Sequence, residues 1–112
     1  MVLIMNTASA TLEEVEPILI EFGRGHDEIE RLEIFGSFAT GRATAESDLD
    51  VLVTFGPDRP SGLDYFGFVL DLQEELERQM ERAVDLVDRG ALNGDLFSYN
   101  ANLQAKLIYE RQ

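Results

Sequence analysis

Two aspartates, Asp48 and Asp50, stand two residues apart at the start of an apolar segment of this 112-residue chain. In a β-strand, residues i and i+2 point to the same face with Cα atoms roughly 6.5–7 Å apart. Both carboxylates can therefore be aimed at one point, an arrangement that suits a hard divalent cation such as Mg²⁺. Gly36-Ser37 ends an earlier apolar segment, ten residues before Asp48. A glycine there allows close approach to a phosphate, and a following helical turn would direct N–H groups at it. The spacing predicts a site for metal-dependent nucleotide transfer.

The carboxylate spacing alone is weak support, because 22 residues of this chain are Asp or Glu. The same spacing recurs in helical or surface stretches at Glu14/Glu16, Glu28/Glu30 and Glu75/Glu77. Asp48 and Asp50 differ because they are embedded in an apolar strand, where Asp50 shares a face with Leu52. An unpaired carboxylate beside a core is unfavourable. The alternative is an edge strand whose acids pair with Arg42 or another cation.

The pattern Gly36-Ser37, ten residues, Asp48-Leu49-Asp50 resembles the nucleotidyltransferases of the polymerase-beta superfamily. It is most similar to their smallest members, the minimal nucleotidyltransferase (MNT) antitoxins encoded beside HEPN-domain toxins. The similarity covers almost the whole chain, residues 1–112, as a single nucleotidyltransferase domain. It implies the minimal nucleotidyltransferase fold, an α/β (α+β) domain in which helices flank a small mixed β-sheet.

A third carboxylate comes from the later apolar segment 83–87, which has Asp85 in its middle. In that family the third acid belongs to such a strand, so the resemblance assigns the role to Asp85. Asp88, at the end of the strand, is the competing acid and would point to the opposite face. The structural alternative for Asp85 is a salt bridge to Arg82 or Arg89.

The resemblance implies that Asp48, Asp50 and Asp85 are the catalytic residues and the ligands of one or two Mg²⁺ ions. Asp85 would ligate a second ion or accept a proton from the attacking hydroxyl. It also implies that ATP is the substrate and that Gly36 and Ser37 bind its phosphates.

One residue departs from the family pattern around the phosphate site. Thr40 stands where family members often carry arginine. Arg42, two residues further on, is the candidate that supplies this cation to the nucleotide.

The charge of the chain bears on its partners. Its net charge of −13 should repel nucleic acid, so no direct nucleic-acid partner is expected. A basic protein partner is favoured in encounter and orientation, although surface acid also simply maintains solubility. The chain has no cysteine and no membrane-spanning run, so the expected location is the cytoplasm.

The resemblance implies a partner and a reaction, namely transfer of AMP from ATP to a tyrosine hydroxyl of a HEPN RNase toxin, which neutralises the toxin. Two alternatives remain at this point. The chain is an antitoxin that acts by steric binding without catalysis, or it is the nucleotidyl-transferring subunit of an enzyme that modifies small molecules such as antibiotics.

Local signals predict the elements that position these residues. The first helix is expected to begin at Thr11 or Pro17 and to end at Phe22, because a capping box favours Thr11 and proline prefers a first turn. The other predicted elements are strands at 29–35, 49–55 and 83–87, helices at 64–80 and 92–106, and an edge strand at 107–109.

Overall fold

The structure is a computed structural model that describes residues 11–91 and 105–112. Three helices and four strands lie in these residues, together with a 3-10 turn. In chain order they are α1 (Leu12–Arg24), β1 (Ile29–Phe35), α2 (Ser37–Thr40), β2 (Leu49–Phe55), α3 (Leu63–Met80), β3 (Val84–Asp88), the 3-10 turn Arg89–Ala91 and β4 (Lys106–Glu110).

The four strands form one mixed sheet in the order β3-β2-β1-β4. Strand β1 is antiparallel to both β2 and β4, whereas β2 and β3 are parallel. A parallel pair needs a long crossover connection, and α3 supplies it. The sheet therefore places the starts of β2 and β3 side by side at one end.

The main core lies between one face of the sheet and the helices α1 and α3. Alternate strand residues such as Leu49, Val51 and Val53 are fully buried in it, as the two-residue repeat of a strand requires. On the opposite face, Phe35 and Leu52 form a smaller cluster. The predicted α/β (α+β) class with a small mixed sheet flanked by helices is confirmed.

Of the two predicted starts of helix α1, Thr11 is the correct one, because it is the N-cap residue. Pro17 lies inside the helix. A proline there removes one intrahelical hydrogen bond. Burial of Val15, Leu19 and Phe22 on one side of the helix offsets that loss. The predicted end at Phe22 is two residues short, because α1 continues to Arg24.

The predicted strands at 29–35 and 49–55 are confirmed with the same bounds. Most of the predicted helix at 92–106 lies outside the described residues. Its predicted end is wrong, since Lys106 opens β4 and pairs with Ile34. In the part of the chain that the structure describes, no helix is both long and apolar enough to cross a membrane.

Candidate active site

Two of the three sequence-predicted carboxylates occupy equivalent positions on neighbouring strands. Asp50 is the second residue of β2 and Asp85 is the second residue of β3. They are direct partners in the parallel register, so their side chains leave the same face of the sheet, on strands about 4.8 Å apart. Asp48 lies in the connection immediately before β2. The fold thus gathers Asp48, Asp50 and Asp85 at one end of the sheet.

The electrostatics of Asp50 reflect this crowding. Burial raises the pKa of its carboxyl above the usual 3.8, and the negative charges of Asp85 and then Asp48 raise it further. Asp50 is half-buried, while Asp48 and Asp85 are exposed. Within residues 11–91 and 105–112, none of the three forms an ion pair. The alternative in which arginines neutralise these acids is therefore wrong for the described residues.

An unneutralised group of carboxylates is a suitable environment for a cation. Among the described residues, no cluster of three or more His, Cys, Asp or Glu side chains is arranged to enclose a metal ion. Mg²⁺ does not need such a cage, because it keeps several waters and binds through one or two carboxylates together with substrate phosphates. Asp50 and its acidic neighbours fit that smaller donor set.

The turn at Gly36 lies directly against Asp50. Gly36 adopts φ 71° and ψ −148°, a conformation open in practice only to glycine. A Cβ atom at this position would overlap the Asp50 carboxylate. The glycine therefore serves two purposes, since it turns the chain from β1 into α2 and leaves room for the acid.

The short helix α2 follows this turn, as predicted. Gly36 O accepts hydrogen bonds from the N–H groups of Ala39, at 3.0 Å, and Thr40, at 3.1 Å. The first N–H groups of any helix, here those of Ser37 and Phe38, have no acceptor within the helix. A contact between the N–H groups of this helical turn and a phosphate stays a prediction.

Hydrogen bonds connect the residues around Thr40, the position at which family members often carry arginine. The Thr40 hydroxyl donates back to Gly36 O at 3.3 Å. Arg42 is exposed, and its backbone N–H donates to Ser37 O at 2.9 Å. A contact between the Arg42 side chain and a nucleotide stays a prediction.

Arg82 also lies in this region, and its contacts differ from the salt bridge to Asp85 considered in the sequence. Its Nη1 donates to Ser47 O at 2.9 Å, and its Cζ lies 5.0 Å from the centre of the Phe38 ring. Its buried Nε has no hydrogen-bond partner among the described residues. Arg82 thereby connects α2 to the residue before Asp48. One arginine ahead of an apolar strand carries no sequence signal for such a link.

Asp88, the competing third acid, has a different environment. Its buried carboxylate accepts hydrogen bonds from Arg59 Nη1 at 2.8 Å, the Tyr65 hydroxyl at 2.5 Å and the Gly90 N–H at 2.9 Å. As residues three apart on β3, Asp85 and Asp88 point to opposite faces. Asp88 is thus a structural residue, fully satisfied and remote from Asp50.

The chain is similar in sequence to known proteins. The family model described as "Polymerase beta, Nucleotidyltransferase" matches residues 18–112. A protein of Thermococcus cleftensis named protein adenylyltransferase MntA is 35% identical over 92 residues, which cover 80% of this chain and 88% of that protein.

Solved structures share the fold. A toxin–antitoxin structure with AMP-PNP has a TM-score of 0.69 and 22% identity, covering 87% of this chain and 74% of that one. An MNT antitoxin in complex with a tri-AMPylated HEPN toxin from Shewanella oneidensis has a TM-score of 0.63 and 20% identity, covering 89% and 73%. The family match over residues 18–112, together with the 35% identity to the Thermococcus cleftensis protein, establishes that the chain belongs to the polymerase beta nucleotidyltransferase family.

Proposed function

We propose that this protein is a Mg²⁺-dependent adenylyltransferase that acts as an antitoxin, by transferring AMP from ATP to a tyrosine hydroxyl of a HEPN RNase toxin. The observation that carries the proposal is the pairing of Asp50 with Asp85 beside Gly36. The name of the Thermococcus cleftensis relative and the AMPylated toxin in the Shewanella oneidensis complex support the nucleotide and the acceptor protein.

The binding site for ATP would lie between the acids and α2. Ser37 offers a hydroxyl and a backbone N–H to the outer phosphates, and Gly36 permits their close approach. Asp48 and Asp50 would hold Mg²⁺, and Asp85 would hold a second ion or accept the proton of the attacking hydroxyl. When bound, the ion neutralises charge on the phosphates and on the departing pyrophosphate.

The reaction is an in-line displacement at the α-phosphorus of ATP. The tyrosine oxygen forms a bond to this phosphorus, the bond from the phosphorus to the oxygen that bridges it to the β-phosphate breaks, and pyrophosphate leaves. The hydroxyl proton passes to Asp85, whose exposed carboxylate has no ion-pair partner among the described residues, and from there to solvent.

The test is an intact-mass measurement on both proteins after incubation with ATP, Mg²⁺ and the HEPN toxin. The toxin should gain one or more AMP groups with the wild-type protein and none with Asp48→Asn/Asp50→Asn. The matched control is Asp27→Asn/Asp58→Asn, because it makes the same substitutions at two exposed aspartates outside the site. This control should transfer AMP at the wild-type rate.

Other outcomes would favour the alternatives. A tight complex that blocks toxicity without any mass change would indicate steric neutralisation. Transfer of AMP to a small molecule such as an aminoglycoside, without toxin present, would indicate a modifying enzyme. Transfer that survives in Asp48→Asn/Asp50→Asn would contradict the proposed site.

A further inference from the structure

Helix α3 has two apolar faces, and among the described residues only one of them packs against the rest of the protein. Leu72, Leu76 and Met80 are buried in the core. A second set on the other side of the helix is largely exposed, with Leu63 at 90%, Phe66 at 70% and Leu70 at 52%. These three residues are called the outer stripe. A helix that only borders solvent carries polar residues on its outer face.

The spacing of the outer stripe is that of a helix-packing seam. Leu63, Phe66 and Leu70 stand at i, i+3 and i+7, the alternation that places side chains in line for contact with a second helix. A single exposed leucine is ordinary on a protein surface. Three large apolar residues aligned over two helical turns indicate a contact surface.

The charges beside the outer stripe indicate the chemistry of the partner. Asp64 and Asp71 are adjacent in sequence to the stripe, and Glu74 continues it one turn beyond Leu70. All three are exposed, and none has an ion-pair partner in the described portion of the chain. An apolar contact bordered by free carboxylates is complementary to a surface rich in lysine and arginine.

A cavity of about 300 Å³ adjoins Phe66 at the start of the helix. Its lining includes Tyr65, Arg59 and Asp88, which are fixed to one another by hydrogen bonds from Arg59 and Tyr65 to the Asp88 carboxylate. The walls are therefore held in place before any partner arrives. A preformed recess beside exposed apolar side chains can accept an anchoring side chain from a partner.

This surface and the candidate active site lie at different ends of the sheet. Asp88 is three residues beyond Asp85 along β3, which corresponds to about 10 Å. A protein partner of ordinary interface size can cover both, since each side of such an interface buries about 800 Å². Binding and chemistry are consequently separable by mutation.

We propose that the outer stripe and the adjoining cavity dock an amphipathic helix of the basic protein that receives the AMP group. The apolar side chains of that helix pack on Leu63, Phe66 and Leu70, and its lysines and arginines face Asp64, Asp71 and Glu74. The identity of the partner as the HEPN toxin rests on the proposed function, whereas the location and chemistry of the surface do not.

The test compares Phe66→Ser/Leu70→Ser with Leu107→Ser, which removes an apolar side chain of similar exposure, 55%, from β4 at the opposite edge of the sheet. Affinity for the toxin is measured by calorimetry without ATP, and steady-state AMP transfer is measured separately. The stripe variant should bind at least tenfold more weakly, with a raised KM for the toxin and an unchanged kcat. Leu107→Ser should bind as the wild type does.

A second variant tests the charge argument. Asp64→Lys/Asp71→Lys should also weaken binding, and its effect should shrink as salt is added. Urea unfolding of each variant verifies that the fold is retained, which the exposure of these positions leads us to expect.

Three results would decide the matter. Unchanged affinity of Phe66→Ser/Leu70→Ser for the toxin would overturn the docking surface. So would self-association of the wild-type chain that this variant abolishes without affecting the toxin, because the occupant would then be a second copy. Loss of binding in the stripe variant, in a system where even the wild type transfers no AMP, would support the surface and contradict the proposed function alone.

Discussion

Asp50 is held in conditions that oppose its charge. It is half-buried, it neighbours Asp85 in register, and Asp48 lies two residues away. Such strain at a single residue is typical of functional sites, where stability is lower than the fold alone would permit. Mutation can test the acid, the glycine packed against it and the arginine that braces its loop.

The first test concerns how the free energy of unfolding depends on pH. Because the pKa of Asp50 is raised in the folded state, its ionised form destabilises folding at pH values above that pKa. The effect fades as the pH falls and vanishes below about 3.8, where the carboxyl is protonated in both states. Asp50→Asn should therefore increase the free energy of unfolding at pH 7 in metal-free buffer, and the gain should disappear toward pH 3.

Urea unfolding across this pH range measures the gain. Asp58→Asn, at an exposed loop position, controls for the loss of one negative charge. If Asp50→Asn were less stable than the wild type at pH 7, the ionised carboxylate would stabilise the fold, and the prediction would be wrong.

Gly36 and Gly41 allow conformation and contact to be separated. Both have positive φ, 71° and 77°, but only at Gly36 would a Cβ meet the Asp50 carboxylate, since no described residue would lie within 4 Å of a Cβ at Gly41. Gly41→Ala should lower the free energy of unfolding by about 1–2 kcal/mol, because Gly41 adopts the left-handed conformation. Gly36→Ala should lower it by more, because the Gly36 conformation is open in practice only to glycine and the added Cβ would meet the acid. Gly36→Ala should also reduce AMP transfer by about 100-fold, through displacement of Asp50.

Gly41→Ala should leave AMP transfer within about twofold of wild type, because its strain lies away from the acids. Chemical denaturation and the intact-mass assay provide the two measurements. Equal transfer by both variants would show that the close packing of Gly36 on Asp50 has no role in catalysis.

Arg82 is expected to act as a positioning residue. Arg82→Met removes its hydrogen bond to Ser47 O and its contact with Phe38, and should lower the free energy of unfolding by about 1 kcal/mol. It should lower kcat by about tenfold, since the loop before Asp48 loses its brace. Arg78→Met, an exposed position on α3, is the control. A lowered stability with unchanged kcat would assign Arg82 a purely structural role.

At the scale of elements, α1 packs closely against the edge strand β4 because a glycine, which has no side chain, lies at the contact. Gly23 lies within α1, and a Cβ there would overlap the ring of Tyr109 on β4. Gly67 lies within α3, where no neighbour among residues 11–91 and 105–112 would be within 4 Å of a Cβ. The two helical glycines therefore respond to the same substitution in opposite directions.

Gly67→Ala should raise the free energy of unfolding by up to about 1 kcal/mol, the helix-propensity difference. Gly23→Ala should lower it by about 1–3 kcal/mol, because overpacking outweighs propensity. Thermal and urea unfolding measure both. An increase in stability for Gly23→Ala would show that α1 and β4 adjust without strain.

The elements that the sequence predicted well are those with a strong local pattern. Strand β2 is a run of apolar residues between turn signals, and α3 has apolar residues at helical spacing. The start of α1 was ambiguous, because Thr11 and Pro17 are both local start signals and only burial of the helix face decides between them.

The candidate site could be predicted from the sequence only where its residues lie close together along the chain. Gly36, Ser37, Asp48 and Asp50 fall within one short segment, whereas Asp85 required the family resemblance. The links made by Arg82 to Ser47 and by Arg59 and Tyr65 to Asp88 join residues 23 to 35 positions apart. Such contacts depend on how β3 docks beside β2, which no local pattern reports.

For the whole molecule, the net charge of −13 sets the terms of binding. In the proposed function two polyanions, the protein and ATP, meet at a group of carboxylates, so we expect a cation between them. The same charge favours a basic protein partner, in agreement with the acidic border of the outer stripe. In the proposed function the negative charge of the protein thus has two effects. It makes ATP binding depend on a cation, and it attracts a basic partner protein.

In the proposed function, the toxin is neutralised by a covalent modification. The most direct measurement is the RNase activity of the toxin after incubation with the protein, ATP and Mg²⁺, followed by complete removal of the protein. Wild type and Asp27→Asn/Asp58→Asn should leave the toxin inactive after separation, with AMP attached, while toxin treated with Asp48→Asn/Asp50→Asn should recover its activity. Full recovery of RNase activity after treatment with the wild type would contradict the account and make the protein a steric inhibitor.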